Sequence, residues 1–282
     1  MPHVTLRFAG AFVAVTIGSL TAIAQEPPNA YESATQPGPG TFIFKPQLRY
    51  FYLDDAPSSP WGDTHQLNLS NTLNFGIAPD WSASIRFPLE QRWQSNRTSA
   101  GTEESFGIGD LTTLLKWRVW RNDTSPLDTQ RLALFGGMEW PLGQSEFSSY
   151  SFDPILGLAY TQVTGRHGVN LSGAWKFTTD GDDAPLLAGE GEADLFRYDA
   201  AYLFRFHPEQ YTADTKGAWY AAFELNGLYE TNGDHEVFLS PGIMYEAESW
   251  VLELSVQLPV LQRLDWRPET DFAVVIGLRF LF

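Results

Sequence analysis

The sequence lacks cysteine, has few basic residues and, after its first two dozen residues, has no long apolar run. Without cysteine there is no disulfide, so packing and backbone hydrogen bonds must stabilise the fold. The 18 Lys and Arg residues are outnumbered by 34 Asp and Glu, giving a formal net charge of −16. This balance argues against a nucleic-acid partner, whose phosphates need basic residues. No apolar run approaches about 18 residues, which excludes a transmembrane helix in this part of the chain.

The first 40 residues are predicted to be export and lead-in sequence. MPHVTLR is a short basic start, FAGAFVAVTIGSL is an apolar stretch, and Ala22-Ile23-Ala24 is an A-x-A cleavage site. We therefore predict a cleaved signal peptide over residues 1–24, with a buried N-terminal helix as the alternative. Residues 25–40 contain four prolines and two glycines. This composition predicts a flexible periplasmic segment that is too short for a folded plug domain.

From residue 41 to residue 282, apolar and polar side chains alternate in one stretch after another. The last stretch, DFAVVIGLRFLF over residues 271–282, places a large apolar side chain at every second position. A period of two is typical of β-strands with one apolar face. We identify about twelve such stretches of roughly 10 to 14 residues, the length of a tilted membrane-spanning strand.

The apolar faces of these stretches carry no Asp, Glu, Lys or Arg, as a lipid-facing surface requires. They carry spaced tryptophans, which are typical of the two membrane interfaces: Trp81, Trp117, Trp140, Trp175, Trp219 and Trp250. An open sheet edge is excluded from hydrocarbon, so the strands must close on themselves. The sequence therefore predicts an all-β protein, a transmembrane antiparallel up-and-down barrel over residues 41–282. Its expected surroundings are the lipid and lipopolysaccharide of the cell outer membrane of a Gram-negative bacterium.

The aromatic end of the last strand has a predicted role of its own. Phe280 and Phe282 resemble the C-terminal signal that the barrel-assembly machinery reads in outer-membrane proteins.

The polar faces of the strands predict the lining of a lumen. Basic and acidic residues are nearly balanced there, with basic residues concentrated on the first eight strands and acidic residues on strands 9 to 11. The predicted lumen-lining residues are Lys45, Arg49, Arg86, Glu90, Lys116, Arg118, Glu139, Lys176, Arg197, Arg205, Glu224, Glu253 and Arg279.

Two interpretations of these charges remain open. They could pair across the lumen and close it, or they could line a wet constriction that orients small polar or zwitterionic solutes. We favour the second, a passive narrow channel for small solutes. The alternative is a closed structural or adhesive barrel that acts through its acidic loops.

An enzymatic role ranks third, because no G-x-S-x-G or H-E-x-x-H motif is present and no catalytic residue or cofactor is predicted. His235, between Asp234 and Glu236, is more simply part of a hairpin turn at Asn232-Gly233. The acidic loop DGDDAPLLAGEGEAD offers weak metal candidates in Asp180, Asp182 and Asp183. Its spacing differs from that of an EF-hand. It is either a solvated loop or a divalent-cation bridge to lipopolysaccharide phosphates.

Two short motifs resemble a known family. The stretch FGIGDLTTLLKWR, with Gly107, Gly109, Asp110, Leu111 and Lys116, is similar to a G-x-G-D-L strand start followed by a basic residue. That pattern occurs in outer-membrane barrel proteins named for the meta-cleavage pathway of phenol degradation. Pro141-Leu142-Gly143 matches the P-x-G at the end of their next strand. The resemblance implies a membrane barrel for uptake of small organic compounds, with no catalytic residues.

The residues of the first motif also have a predicted structural role. Gly107 and Gly109 favour a bulge or a close backbone approach. We expect Asp110 to point inward, where it could pair with an arginine of a neighbouring strand. We favour a conformational role of the motif at the outer rim over contact with a solute.

Overall fold

The computed structural model describes residues 26–57, 61–96, 101–125, 127–144, 146–182, 185–212 and 214–282. The predicted signal peptide, residues 1–24, lies outside the described residues. Among those that are described, no helix is long and apolar enough to cross a membrane. Thirteen strands form this part of the chain: β1 Phe42–Asp54, β2 Trp61–Ala78, β3 Trp81–Asn96, β4 Thr102–Ile108, β5 Leu111–Ser125, β6 Asp128–Trp140, β7 Asp153–Thr164, β8 His167–Lys176, β9 Leu195–His207, β10 Gly217–Glu230, β11 His235–Ala247, β12 Trp250–Arg263 and β13 Glu269–Leu281.

The strands form one closed antiparallel sheet. Apart from β4 and β5, which both pair with β3, each strand pairs with its sequence neighbours, and β1 pairs with both β2 and β13, which closes the barrel. Phe42 and Phe282 exchange two backbone hydrogen bonds of 3.1 and 3.0 Å at this seam. β4 and β5 are two parts of one wall strand, since β3 pairs with β4 in its second half and with β5 in its first half. The thirteen strands therefore make a barrel of twelve, and the predicted fold is confirmed.

Alternation decides which side chains face outward. In β13 the inward Val275 is fully buried, whereas the next residue, Ile276, is 47% exposed on the outside. The outward face of the barrel presents Leu, Ile, Phe and Trp side chains, as a lipid-facing surface requires. The interior contains apolar clusters and buried charged side chains, among them Glu224, Glu253 and Arg279. The charged side chains that could form a functional site therefore lie inside the barrel.

Candidate functional site in the barrel lumen

Residues 26–37, here called the N-terminal segment, lie inside the barrel. Residues 27–29 and 32–37 are buried, and the chain leaves the lumen through the exposed turn 38–40. Gly40 N donates to Gly76 O at 2.8 Å, which places this turn beside the β2–β3 hairpin. The sequence predicts a flexible periplasmic segment here, and the structure differs. The reason is that strand residues distant in sequence supply the hydrogen bonds and charges that fix the segment.

Carboxylate and hydroxyl side chains of the barrel wall hold the backbone of the segment. Asn29 N donates to both carboxylate oxygens of Glu224, at 3.2 and 3.1 Å, and the Asn29 side chain adds a bond of 2.8 Å. Tyr31 N donates to Asp199 Oδ2 at 2.9 Å, and Ala34 N donates to Thr161 Oγ1 at 3.0 Å. These acceptors lie on β10, β9 and β7. The segment is therefore attached through side chains, without strand pairing.

The basic strands bind the carboxylates of the segment. Glu26 Oε1 lies 2.6 Å from Lys45 Nζ, and its other oxygen lies 3.5 Å from Arg279. Glu32 lies 2.7 Å from Lys116 Nζ. Burial raises the pKa of the Glu26 carboxyl, but Lys45 and Arg279 outweigh burial and lower this pKa to about 2. The segment thus complements both kinds of wall, with N–H groups toward the acids and carboxylates toward the bases.

Two loops fold into the lumen from the opposite end. After β8, Leu186 packs against Phe51 and Leu53, and Gly189 N donates to Glu230 Oε1 at 2.9 Å. After β6, Phe147 is buried and lies under Arg92, whose Cζ is 4.6 Å from the ring centroid. Arg92 also joins the two loops, because it donates to Glu146 O at 2.9 Å and lies 3.1 Å from Glu190 Oε1.

Asp110 forms no ion pair with an arginine among the described residues. Its carboxylate instead accepts bonds from Gly143 N (2.9 Å), Ser149 N (2.8 Å) and Ser149 Oγ (2.9 Å). The two family motifs therefore contact each other, and together they turn the loop after β6 inward. A Cβ on Gly107 would lie 2.4 Å from Phe147 Cδ2, so glycine leaves the space for that ring. Gly109 lies against Pro88 and Glu90, while Leu111 and Pro141 flank the contact.

Two cavities remain between the loops and the N-terminal segment. One, of about 240 Å³, extends to Glu146 and Asp182 in the loops. The other, of about 230 Å³, extends to Pro27, Lys45 and Arg279 beside the segment. They share Tyr31, Asn68, Ser70, Arg86, Leu187 and Arg197 as lining residues. The two cavities therefore adjoin each other in the lumen, between the inward loops and the N-terminal segment.

The predicted lumen residues divide into groups by what they contact. Arg49, Arg86 and Arg197 line the cavities. Lys176 bridges Glu139 (2.5 Å) and Asp153 (3.5 Å), and Arg279 pairs with Glu253. Glu90 accepts bonds from Gln66 at 2.6 Å and Arg92 at 3.3 Å.

Two predicted lumen residues instead bind hairpin turns at the end of the barrel opposite the two inward loops. Arg118 binds Asp80, and Arg205 donates to Gly165 O and Pro208 O. Neither lines a cavity.

The weaker candidates are dispersed. Asp180 is exposed, Asp182 borders a cavity, and Asp183 lies outside the described residues. Phe282 is 72% exposed on the outer surface. His235 Nε2 lies 2.8 Å from the Tyr198 hydroxyl, and in the described ranges no group of three or more His, Asp or Glu is placed to hold a metal.

Sequence reasoning missed the site residues of the N-terminal segment: Glu26, Asn29, Tyr31 and Glu32. One signal for them was present. The excess of basic residues on strands β1 to β8 needed acids from elsewhere, and Glu26 and Glu32 precede those strands.

Comparisons with known proteins agree with this architecture. A family model described as "Putative MetA-pathway of phenol degradation" matches residues 9–260. The fold is similar to the COG4313 outer membrane channel from Pseudomonas putida F1, with a TM-score of 0.55, 15% identity, and coverage of 91% of this chain and 100% of that one. It is also similar to the beta domain of the Bordetella autotransporter Brka, with a TM-score of 0.51, 10% identity, and coverage of 86% and 100%. No curated protein sequence matches. These identities show the fold alone, whereas the family match covers most of the chain, so this protein belongs to the family described as "Putative MetA-pathway of phenol degradation".

Proposed function

We propose that this protein is a narrow outer-membrane channel for small solutes, closed by its own N-terminal segment. The observation that carries the proposal is the pair of adjoining cavities between the inward loops and the segment. A barrel with a purely structural role has no need of adjoining cavities lined by arginines and polar residues. Twelve strands also fall between barrels that side chains fill and wide porins, which supports a narrow passage.

The attachment of the segment suits reversible release. Its bonds to Asp199 and Thr161 each come from one backbone N–H group, and Asn29 binds Glu224 through its backbone N–H and its side-chain amide. Water replaces these bonds when the segment leaves. The exposed turn 38–40 joins it to β1, and Gly40 there has a φ of +77°, a conformation that glycine adopts without strain. The segment is thus a polar plug on a short hinge.

The location belongs to the same proposal. We infer export through residues 1–24, insertion by the barrel-assembly machinery through the strand that ends at Phe280 and Phe282, and contact with outer-membrane lipid and lipopolysaccharide. The apolar outward face and its exposed Trp81, Trp117 and Trp219 support this placement.

The test is single-channel conductance across a planar bilayer with the segment locked in place. Ala34 N donates to Thr161 Oγ1, and the chain has no cysteine of its own, so a disulfide in an A34C/T161C variant can join only these two positions. Loss of free thiols on oxidation checks that it has formed. We expect the oxidised variant to conduct less than the same protein after reduction. A34C alone is the matched control, and its conductance should not respond to reductant.

A variant that lacks residues 26–37 should conduct more than the wild type. Equal conductance of the oxidised and reduced pair would contradict the closing role of the segment. Silence of the wild type, the reduced pair and the deletion variant, all demonstrably folded, would favour the closed structural or adhesive barrel.

A further inference from the structure

Three arginines beside the cavities have no hydrogen bond to a carboxylate of any described residue. Arg197 on β9 makes no hydrogen bond or ion pair with any described residue, and its Nε is buried without a partner. Arg49 on β1 also has an unbonded Nε. Among the described residues, its guanidinium donates only from Nη2 to Gln47 Oε1, at 3.1 Å. Arg86 on β3 donates to Thr72 Oγ1, and its nearest carboxylate oxygen, on Glu32, is 3.9 Å away. We call these three residues the arginine cluster.

The arginine cluster is unusual in this lumen. Lys45, Lys116 and Lys176 each have a carboxylate oxygen within 2.7 Å. In these lysines the cost of removing a charge from water is offset by a close opposite charge. In the cluster the closest ion pair is the 3.9 Å contact of Arg86 with Glu32.

The neighbouring carboxylates form their ion pairs and hydrogen bonds with other groups. Glu32 binds Lys116 at 2.7 Å, and Glu224 binds Asn29. Asp199 accepts bonds from Tyr31 N, Ser172 Oγ and Asn226 Nδ2, at 2.9, 2.9 and 2.8 Å. None of these carboxylates hydrogen-bonds Arg49 or Arg197. Asp199 and Glu224 accept bonds from neutral groups and keep their charge, so three guanidinium groups face two carboxylates, an excess of one positive charge.

The space beside the cluster suits an organic anion. Arg49, Arg86 and Arg197 line the same cavity of about 230 Å³, together with the apolar side chains of Phe51 and Leu187. The Tyr31 ring lies between two guanidinium groups, with Arg86 Cζ 4.9 Å and Arg197 Cζ 5.2 Å from its centroid. This contact orients both guanidinium planes. A guanidinium presents paired N–H donors that match the two oxygens of a carboxylate.

We propose that the arginine cluster is a binding site for a small organic carboxylate. The carboxylate oxygens accept hydrogen bonds from Arg49 and Arg197, and the organic part lies toward Phe51 and Leu187. The inference deepens the proposed channel function and rests on it for its biological meaning, because it names the solute class that the passage selects. Binding itself does not require conduction.

The experiment is calorimetric titration of the full-length refolded protein in detergent with benzoate, and with benzamide as the uncharged isostere. We expect benzoate to bind and benzamide to bind at least about tenfold more weakly, since charge-assisted hydrogen bonds are lost. Arg49→Gln and Arg197→Gln should each weaken benzoate binding by about tenfold or more. Arg131→Gln is the matched control, because Arg131 pairs with Asp123 at 3.1 Å and lines neither cavity.

Folding is monitored by the melting temperature of each variant. Arg197→Gln removes a charge without stranding a carboxylate, so its melting temperature should equal or exceed that of the wild type. Lys116→Gln leaves Glu32 without its nearest cation and should melt lower.

Equal affinity for benzoate and benzamide would overturn the proposal, as would unchanged benzoate affinity in both glutamine variants. A fall in the melting temperature of Arg197→Gln would also count against an unpaired cluster. The channel is judged separately by conductance. Binding without conductance retains the site and removes the channel, whereas conductance without binding does the reverse.

Discussion

Gly107 shows how one missing side chain shapes the mouth of this barrel. The Phe147 ring occupies the space where its Cβ would be, and that ring in turn supports the guanidinium of Arg92. Arg92 joins the two inward loops through Glu146 and Glu190. A methyl group at residue 107 would therefore affect the two inward loops through the side chains of Phe147 and Arg92.

Gly107→Ala should loosen the loop after β6. The added Cβ would lie 2.4 Å from Phe147 Cδ2 and 2.7 Å from Gln144 Oε1, so the ring must move. Overpacking of this kind costs about 1–3 kcal/mol. We expect faster amide hydrogen exchange in residues 146–151 and a lower melting temperature. Gly101→Ala is the control, since no atom lies within 4 Å of its added Cβ. Unchanged exchange in Gly107→Ala would show that the ring moves freely.

Among the elements, the N-terminal segment depends most on charge. Its first residue contacts β1 and β13 through Glu26, and its middle contacts β5 through Glu32. Without these two carboxylates, Lys45 and Lys116 would lose their closest ion-pair partner, and Arg279 would lose one of its partners. The docked state is therefore linked to pH through Glu26.

Glu26 should stabilise docking in neutral solution and lose this effect in acid. Its pKa falls from the ordinary 4.5 to about 2 when the segment is docked. A lowered pKa in the bound state means that the stabilisation is complete above about pH 4.5 and declines as the pH falls toward 2. Conductance of the wild type and of Glu26→Gln should thus differ at pH 7, with the variant open more often. The two should approach each other below about pH 4.5 and converge near pH 2.

Other carboxylates titrate in the same range, so the difference between the two curves is the informative quantity. Lys45→Gln should shift the wild-type curve in the same direction, because it removes the cation nearest Glu26. A constant difference between wild type and Glu26→Gln from pH 7 to pH 3 would contradict the link.

At the scale of the whole molecule, one sheet separates two opposite environments. Leu158 at the middle of β7 is 50% exposed on the outside, and its neighbour Ala159 is fully buried inside. Contact with lipid stabilises the outward apolar residues, whereas hydrogen bonds and ion pairs with one another stabilise the inward polar residues. The free-energy cost of a charged substitution on the outer face should consequently depend on the depth of that residue in the bilayer.

Leu158→Arg should impair folding into lipid vesicles. An arginine near the midplane of the lipid face costs about 2–4 kcal/mol, whereas one near the interface costs about 0–1 kcal/mol. Leu142→Arg, in the exposed loop after β6, is the matched control. Urea titration of folding into vesicles, followed by tryptophan fluorescence, measures the difference. Equal midpoints for the two variants would argue against the membrane placement of β7.

The sequence predicted the strands because a period of two is a local signal, visible in stretches such as 271–282. It did not predict the docked segment, whose bond between Asn29 and Glu224 joins residues 195 positions apart. Proline-rich and aperiodic, residues 26–37 have no pattern of their own that indicates burial. Likewise, alternation indicates that Arg118 and Arg205 point inward, but only the turns at Asp80 and Gly165 show that they cap the barrel end.

The short hinge at residues 38–40 sets how far the released segment travels. Twelve residues fully extended span about 40 Å, somewhat more than the thickness of the hydrocarbon layer. Swung out of the mouth, the segment becomes a tether that carries Glu26 and Glu32 away from the barrel into the surrounding solution. Opening of the passage and display of this acidic peptide are then a single event, so an antibody or soluble protein that captures residues 26–37 would hold the barrel open.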